Sequence, residues 1–302
     1  ICFYGDYDVD GIAATSLYVT FFKSLGATVA SYIPHRVREG YGLNEAAIRR
    51  LAQDGVQLLV TSDCGTTAHH EVEVANGLGL DMIITDHHQV DARLPPALAL
   101  LNPYRPDSSY PFQGLCSGGL AYKVVTAYQE KYGWGELAAE TMLDLVALST
   151  VADVVPLQNE NRFFVREGLA QITRGARCGI RALKRVARIE RDCDAGIVAF
   201  RLAPRINAAG RLAHADIGVR LLTTESDGEA RDLAEQLERL NRERQKIEEG
   251  TTAEALAMVK GSELPAALVV AARHWHLGVV GIVAARLVER YHRPAGGIAV
   301  NE

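Results

Sequence analysis

Short apolar runs alternate with helical stretches through the first hundred residues, and that rhythm leaves few architectures open. The runs fall at residues 1–4, 27–33, 56–62, 82–85 and 97–101, with helical patterns at 12–25, 45–53 and 69–78 between them. Strand, helix, strand in repetition predicts a parallel sheet covered on both faces. From residue 115 the pattern turns helical, at 118–132, 136–151 and near 162–174. Residues 227–260 are charged, with Leu233, Leu237, Leu240 and Ile247 near helical spacing, which predicts one long helix joining two domains. A new strand at 266–272 and a helix at 279–291 follow, and the chain stops at Glu302 inside or just after another strand. The expected fold class is α/β: a parallel sheet covered by helices, a long connecting helix, and a second, smaller α/β domain that is incomplete.

Composition narrows this further. A 48% hydrophobic content over 302 residues excludes intrinsic disorder and gives ample core. No run of eighteen apolar residues occurs, so no transmembrane helix is expected. The chain opens directly on a core strand with no charged leader, which predicts that it begins inside a longer protein. Cysteines at 2, 64, 116, 178 and 193 are odd in number and form no CxxC pair, which argues against a disulfide framework and fits the reducing cytoplasm.

The net charge of −5 hides a split. Residues 1–153 hold 9 Lys/Arg against 18 Asp/Glu, whereas residues 162–220 hold 13 against 5. Acid gathered in one half and base in the other suits a cation site facing a polyanion groove.

In open parallel sheets function collects at the carboxyl ends of the strands, and here those ends carry metal-binding residue types. The first runs into Gly5-Asp6-Tyr7-Asp8-Val9-Asp10-Gly11, the third into Ser62-Asp63-Cys64-Gly65, and the fourth into Thr85-Asp86-His87-His88. A lone Asp after a strand is ordinarily a turn former or helix cap. Asp6, Asp8 and Asp10 together repel one another and need a cation. Asp153 is placed to join them. The pattern DxDxDG also opens an EF-hand loop, but its twelfth position is Leu17, where a bidentate Glu is required. A phosphatase with an aspartyl nucleophile also places DxD after its first strand and stays open as an outsider, since it leaves the 86–88 cluster unexplained and has no clear partner lysine. Carboxylates with one or two histidines suit Mn²⁺ or Mg²⁺, and two such ions bridged by Asp63 suit attack of water on phosphorus. His88 is a second ligand or a group that contacts the scissile phosphate, while His69 and His70 read as solvated surface. A second constellation, Arg205, Asn207 and Arg211 among small residues, can offer two guanidinium forks and an amide to a phosphate.

Together these residues resemble the DHH phosphoesterase superfamily, and within it the RecJ-type single-strand-specific exonucleases. The resemblance rests on YGDYDVDG at 4–11, REGYGLN at 38–44, TSDCGT at 61–66, TDHH at 85–88 and LCSGGLAYK at 115–123. It continues in ADVVPL at 152–157, RINAAGR at 205–211, LNRERQKIE at 240–248 and WHLGVVGIVAARL at 275–287. The resemblance implies 5′→3′ hydrolysis of single-stranded DNA to mononucleotides in repair and recombination, dependent on two Mn²⁺ or Mg²⁺ ions. It implies that Asp8, Asp10, Asp63, His87 and Asp153 are metal ligands, with Asp6 beside them. Asp63 and His88 stand at the chemistry, His88 contacting phosphate or donating a proton, and Arg205, Asn207 and Arg211 form a phosphate pocket.

The resemblance also divides the chain into a DHH domain over 1–226, a connecting helix over 227–260 and a partial DHH-associated domain over 261–302. Within the first, a metal-site core (1–156) precedes a basic phosphate-binding segment (157–226). The glycine-rich end of the DHH-associated domain and an OB-fold are missing from the pattern, so a fragment with intact ligands and a weakened DNA grip is expected. Single-stranded DNA is the expected partner, with a single-strand-binding protein and a helicase beside the longer protein. A monomer and no membrane association are expected. Two further alternatives stay open: a phosphodiesterase for short oligonucleotides or cyclic dinucleotides, and an inactive replication scaffold, which would be expected to lose its carboxylates.

Overall fold

The computed structural model describes residues 1–133, 137–259 and 264–300. The first residue of the helix expected at 136–151, the last of that expected at 227–260, and residues 301–302 lie outside these.

Five parallel strands form the main sheet: β1 (Cys2–Gly5), β2 (Ala30–Tyr32), β3 (Leu58–Ser62), β4 (Asp81–Thr85) and β5 (Ala99–Leu101). Their order is β2-β1-β3-β4-β5, so the chain reverses its direction of progress between β1 and β3. Side chains alternate across the sheet. Phe3 enters a large core with Ile12, Leu17 and Phe21 of α1 (Val9–Ser24), while Cys2 and Tyr4 enter a smaller one. That smaller core is closed by α2 (Glu45–Gln53) and α3 (His69–Gly77). Every expected strand of the first hundred residues forms, three of them shorter at their starts than the apolar runs that announced them.

The large core is completed by α4 (Ser117–Tyr132), α5 (Leu143–Ala152), α6 (Asn159–Arg174) and α7 (Cys178–Val186). A single 3₁₀ turn, Ala139–Met142, leads into α5. Next comes a broken helix: α8 (Ala195–Ile197), a π turn (Val198–Leu202) and α9 (Ala203–Leu212), followed by α10 (Asp216–Thr223). The connecting helix α11 (Asp227–Met258) is unbroken over 32 residues, and Ser226 caps it by accepting from the Glu229 N–H at 3.3 Å.

Its first half buries Ala230, Leu233, Ala234 and Leu237 in the large core. Ile247 and Ala255 of its second half meet a separate core built from β6 (Leu268–Ala272), α12 (Leu277–Tyr291) and β7 (Ala295–Ala299). β6 and β7 pair in parallel across α12. Among the described residues no helix is long and apolar enough to cross a membrane. All five cysteines are free thiols, four of them buried.

Candidate metal centre

The reversal of strand order puts the ends of β1 and β3 side by side, with Gly5 opposite Ser62. The ladder continues one residue beyond each strand. Asp6 N–H donates to the Ser62 carbonyl (3.2 Å), Asp63 N–H to that of Thr85 (3.1 Å), and Asp86 N–H to that of Leu101 (3.1 Å). Three aspartates thus stand in a row along one sheet edge, at the crevice where ligands of doubly wound sheets bind. Asp63 has φ of +68°, a left-handed conformation that Asp tolerates better than most residues. Thr61 Oγ1 holds the turn by donating to the Cys64 carbonyl at 2.7 Å.

The segment after β1 wraps directly into α1. Asp8 is its cap, accepting from the N–H groups of Asp10 (2.9 Å) and Gly11 (3.2 Å). Gly11 has no room for a side chain: a Cβ there would press on the Asp6 backbone. Helix formation at Val9 also removes the EF-hand geometry. Asp10 is buried and points at the start of α4, where its carboxylate accepts from Ser117 N–H (2.8 Å) and Gly118 N–H (3.0 Å), and from the Ser149 hydroxyl. N–H groups at a helix start are matched to such a negative charge.

The 86–88 turn assigns three different jobs. Asp86 is spent internally: Oδ2 accepts from Thr66 N–H (3.0 Å), and Oδ1 from the N–H groups of His87 (2.8 Å) and His88 (3.2 Å). Oδ1 also meets His88 Nδ1 at 2.7 Å. Burial alone would raise the Asp86 pKa, but the bonds from His88 and Thr66 hold it well below the ordinary carboxylate range. The same bond raises the pKa of His88, against the opposing pull of its partial burial. His87 turns inward, with Nε2 at 3.1 Å from Asp63, 3.4 Å from Asp10 and 3.7 Å from Asp153. His88 stays half exposed at the mouth.

Three overlapping groups of ligand atoms result, each within 4.8 Å: Asp10, His87 and Asp153; Asp63, His87 and His88; Asp6, Asp8 and Asp63. Asp63 belongs to two of them, as a bridge would. The donor set fits a pair of divalent cations. Burial first and then Asp8 push the Asp6 pKa up to about 8, and burial, Asp10 and Asp8 push that of Asp153 to about 7. Burial and neighbouring carboxylates likewise raise Asp8 and Asp63. Oδ1 of Asp6 is buried and meets no donor at all. Crowded carboxylates with an orphaned oxygen are relieved by a cation, and oxygen ligands with imidazole suit Mn²⁺ or Mg²⁺.

Above the carboxylates opens a cleft of about 360 Å³ walled by Arg36, Tyr41, Asn207 and Arg211. Asn207 Oδ1 accepts from Val9 N–H at 3.1 Å, which ties α9 to the start of α1. Arg211 donates to the Gly278 carbonyl (3.0 Å), and its pKa is lowered by burial and by Arg36 and Arg244. The expected phosphate pocket needs one correction. Arg205 leaves the cleft: its Nε donates to Glu238 of α11 at 2.7 Å and its Nη1 to the Arg201 carbonyl at 2.5 Å. The reason is helical phase, because Asn207 and Arg211 are four apart on one face and Arg205 lies across the helix. Sequence reasoning also missed Arg36, whose guanidinium lies 4.8 Å from the Tyr7 ring centroid, and Tyr41, whose hydroxyl donates to the Asp63 carbonyl at 3.2 Å. The stretch 38–44 was a signal for Tyr41; Arg36 stands just outside it. His69 and His70 begin α3 away from the cleft, and His70 pairs with Glu45 at 3.0 Å.

The model of the DHH family, N-terminal domain, matches residues 1–150. The single-stranded-DNA-specific exonuclease RecJ of Bacillus subtilis (strain 168) is 43% identical over 304 residues, covering 100% of this chain and 38% of its own. The protein of the same name from Escherichia coli (strain K12) is 41% identical over 307 residues, covering 96% of this chain and 53% of its own. This chain therefore spans about half or less of the length of these curated relatives. A crystal structure of the exonuclease RecJ bound to manganese superposes with a TM-score of 0.88 at 37% identity, over 99% of this chain and 75% of that one. Likeness of this extent, in sequence and in backbone together, makes the chain a member of the DHH family, in its RecJ group.

Proposed function

We propose that this chain is the catalytic core of a 5′→3′ exonuclease that hydrolyses single-stranded DNA to 5′-mononucleotides with two Mn²⁺ or Mg²⁺ ions. The observation that carries the reading is the set of adjoining ligand groups formed by Asp8, Asp10, Asp63, His87 and Asp153, with Asp63 shared, under a cleft that also presents Arg36 and Arg211. Similarity over the whole chain to proteins named single-stranded-DNA-specific exonucleases supports the reaction and the substrate class, and the polarity and a role in repair and recombination are part of the proposal.

Asp8, Asp10, Asp63, His87 and Asp153 would hold the ions, with Asp6 offering its orphaned oxygen beside them. When bound, such a pair polarises the phosphate and lowers the pKa of an attacking water. The protein's own part is positioning and charge. Ser117, Gly118 and Ser149 fix the Asp10 carboxylate, and Asp86 fixes the His88 ring with Nδ1 engaged. His88, half exposed in the cleft with its Nε2 3.5 Å from the Tyr41 hydroxyl, would contact a phosphate or protonate a leaving oxygen. Arg36 and Arg211, which repel each other across the cleft, are relieved by a phosphate between them. Asn207 keeps its oxygen on Val9 and can turn its amide toward the same phosphate.

The division into 1–226, 227–260 and 261–302 is supported by the two separate apolar cores and the helix that joins them. We place the protein in the cytoplasm as a monomer, working with a single-strand-binding protein and a helicase; free thiols support the compartment.

Asp63→Asn tests the reading, because Asn accepts the left-handed backbone while losing the charge. Loss of Mn²⁺-dependent release of nucleotides from 5′-labelled single strands, with lowered metal content and an unchanged fold, is expected. Full activity in that variant sinks the proposal.

A further inference from the structure

Away from the cleft, α7 and the first half of α11 enclose a groove of about 550 Å³. Arg181 and Arg185 line one wall from α7, four residues and so about 6 Å apart along the helix, and Arg188 follows just past its end. Arg231 and Arg242 line the other wall with Glu235 and Glu238, and Asp227 stands at one end.

Most cations of this part of the chain are already engaged. Arg177 binds Asp144 at 2.8 Å, Arg181 binds Asp227 at 2.5 Å, Lys184 donates to the Thr173 carbonyl at 2.5 Å, and Arg201 to that of Ala187. Glu238 is shared by Arg205 and Arg242, each at 2.7 Å, so one carboxylate answers two cations. Arg185, Arg188 and Arg231 form no ion pair or side-chain hydrogen bond among the described residues, with Arg231 acting on Asp227 only through space, yet all three line one concavity. A solvated face scatters its spare charges, whereas this one concentrates them between two helices.

The groove and the cleft lie on opposite sides of one helix. Helix α9 stands between them, presenting Asn207 and Arg211 to the cleft and Arg205 to Glu238, the carboxylate that holds Arg242 of the groove.

We propose that the α7–α11 groove is a second binding site for the phosphodiester backbone of nucleic acid, in which Arg185, Arg188 and Arg231 contact successive phosphates without reading sequence. Guanidinium groups set apart on two facing walls match a repeating anion better than a single one. The inference rests on the nuclease reading for its substrate, in that the groove would hold a part of the strand remote from the end being cut.

The test separates the two claims. Binding of a labelled oligothymidylate is measured in EDTA across a salt series, for the full chain and for its Arg185→Gln/Arg188→Gln/Arg231→Gln variant. Each lost phosphate contact lowers the slope of log K against log salt by about 0.7 for a single strand, so a decrease of about 2 is expected. Hydrolysis of a dinucleotide in Mn²⁺, which occupies the cleft alone, is expected to be unchanged. A slope equal to that of the parent overturns the groove, whatever the activity. A smaller slope in a protein that hydrolyses neither substrate supports the groove and refutes the nuclease reading instead. Should the triple variant melt early, Arg185→Gln alone is read against an expected decrease of about 0.7.

Discussion

Asp86 shows how one side chain can matter to a metal centre without touching an ion. Its two oxygens take four hydrogen bonds from Thr66, His87 and His88, and none is left for a cation. Asn102 reinforces the arrangement by donating to both Thr66 Oγ1 (3.0 Å) and the His88 carbonyl (2.8 Å). Replacing Asp86 with Asn keeps the shape but removes the charge and turns one acceptor into a donor facing N–H groups. Partners of this kind typically cost about 10–100-fold in activity or metal affinity when lost. Asp86→Asn is therefore expected to lower kcat by about that factor and to bring the His88 titration down toward the ordinary range, readable by imidazole NMR. Unchanged kcat with an unchanged His88 titration would contradict the positioning role. The carboxylates Asp6, Asp8, Asp10 and Asp63 were legible in the sequence because each follows a strand or opens a helix, where spacing alone fixes position. The division of labour inside residues 86–88 was not, since it depends on Thr66 and Asn102, which come from two other turns.

Among the elements, α9 departs most from what its sequence announces. RINAAGR reads as three polar groups among small residues offered together to a phosphate, and it folds as helix, begun by Pro204 in its first turn. Once helical, Arg205 cannot share a face with Asn207 and Arg211. The small residues serve contact with neighbours: a Cβ on Gly210 would meet the Tyr7 carbonyl, and one on Gly278 of α12 would meet that of Arg211. Helices α9 and α12 thus touch backbone to backbone at the residue that carries the cleft's guanidinium. Gly278→Ala forces them apart and, as overpacking, is expected to cost about 1–3 kcal/mol. It also displaces the carbonyl that orients Arg211. A lowered Tm together with a raised KM for single-stranded DNA, at unchanged metal content, is the expected result of melting and kinetic measurements. A lowered Tm with KM unaltered would show that Arg211 keeps its place without Gly278.

At the level of the whole molecule, the carboxylate cluster makes stability depend on pH and on metal. Asp6 at about 8 and Asp153 at about 7 titrate far above the unfolded value of 3.8, so the folded state holds protons that the unfolded chain has released. Their contribution is complete below the unfolded pKa and is lost as pH rises through the folded values. His88, raised by Asp86, acts in the same direction. In EDTA, Tm is expected to fall between about pH 5 and pH 8. Mn²⁺ favours the ionised carboxylates and is expected to raise Tm most at pH 8, where the metal-free protein is weakest. A Tm in EDTA that climbs over this range would contradict the crowding read from the geometry. The split of charge visible in the sequence therefore has a physical sequel, with the acidic half requiring cations that the basic half cannot provide through direct contact.

The unbroken helix α11 has a consequence for how such a chain can change over time. It is rooted in the large core by Leu233 and Leu237 and in the separate core of β6, β7 and α12 by Ala255, and Glu248 between them binds Arg286 of α12 at 3.1 Å. A loop absorbs an inserted residue, but a rod fixed at both ends does not. One extra residue in α11 would turn everything beyond it by about 100° and advance it by about 1.5 Å. Gly278 would then swing away from Arg211, and the cleft's guanidinium would lose the carbonyl that holds it. Insertions and deletions should thus be purged from this helix far more strictly than substitutions on its exposed side, so that its length, more than its sequence, is the inherited quantity.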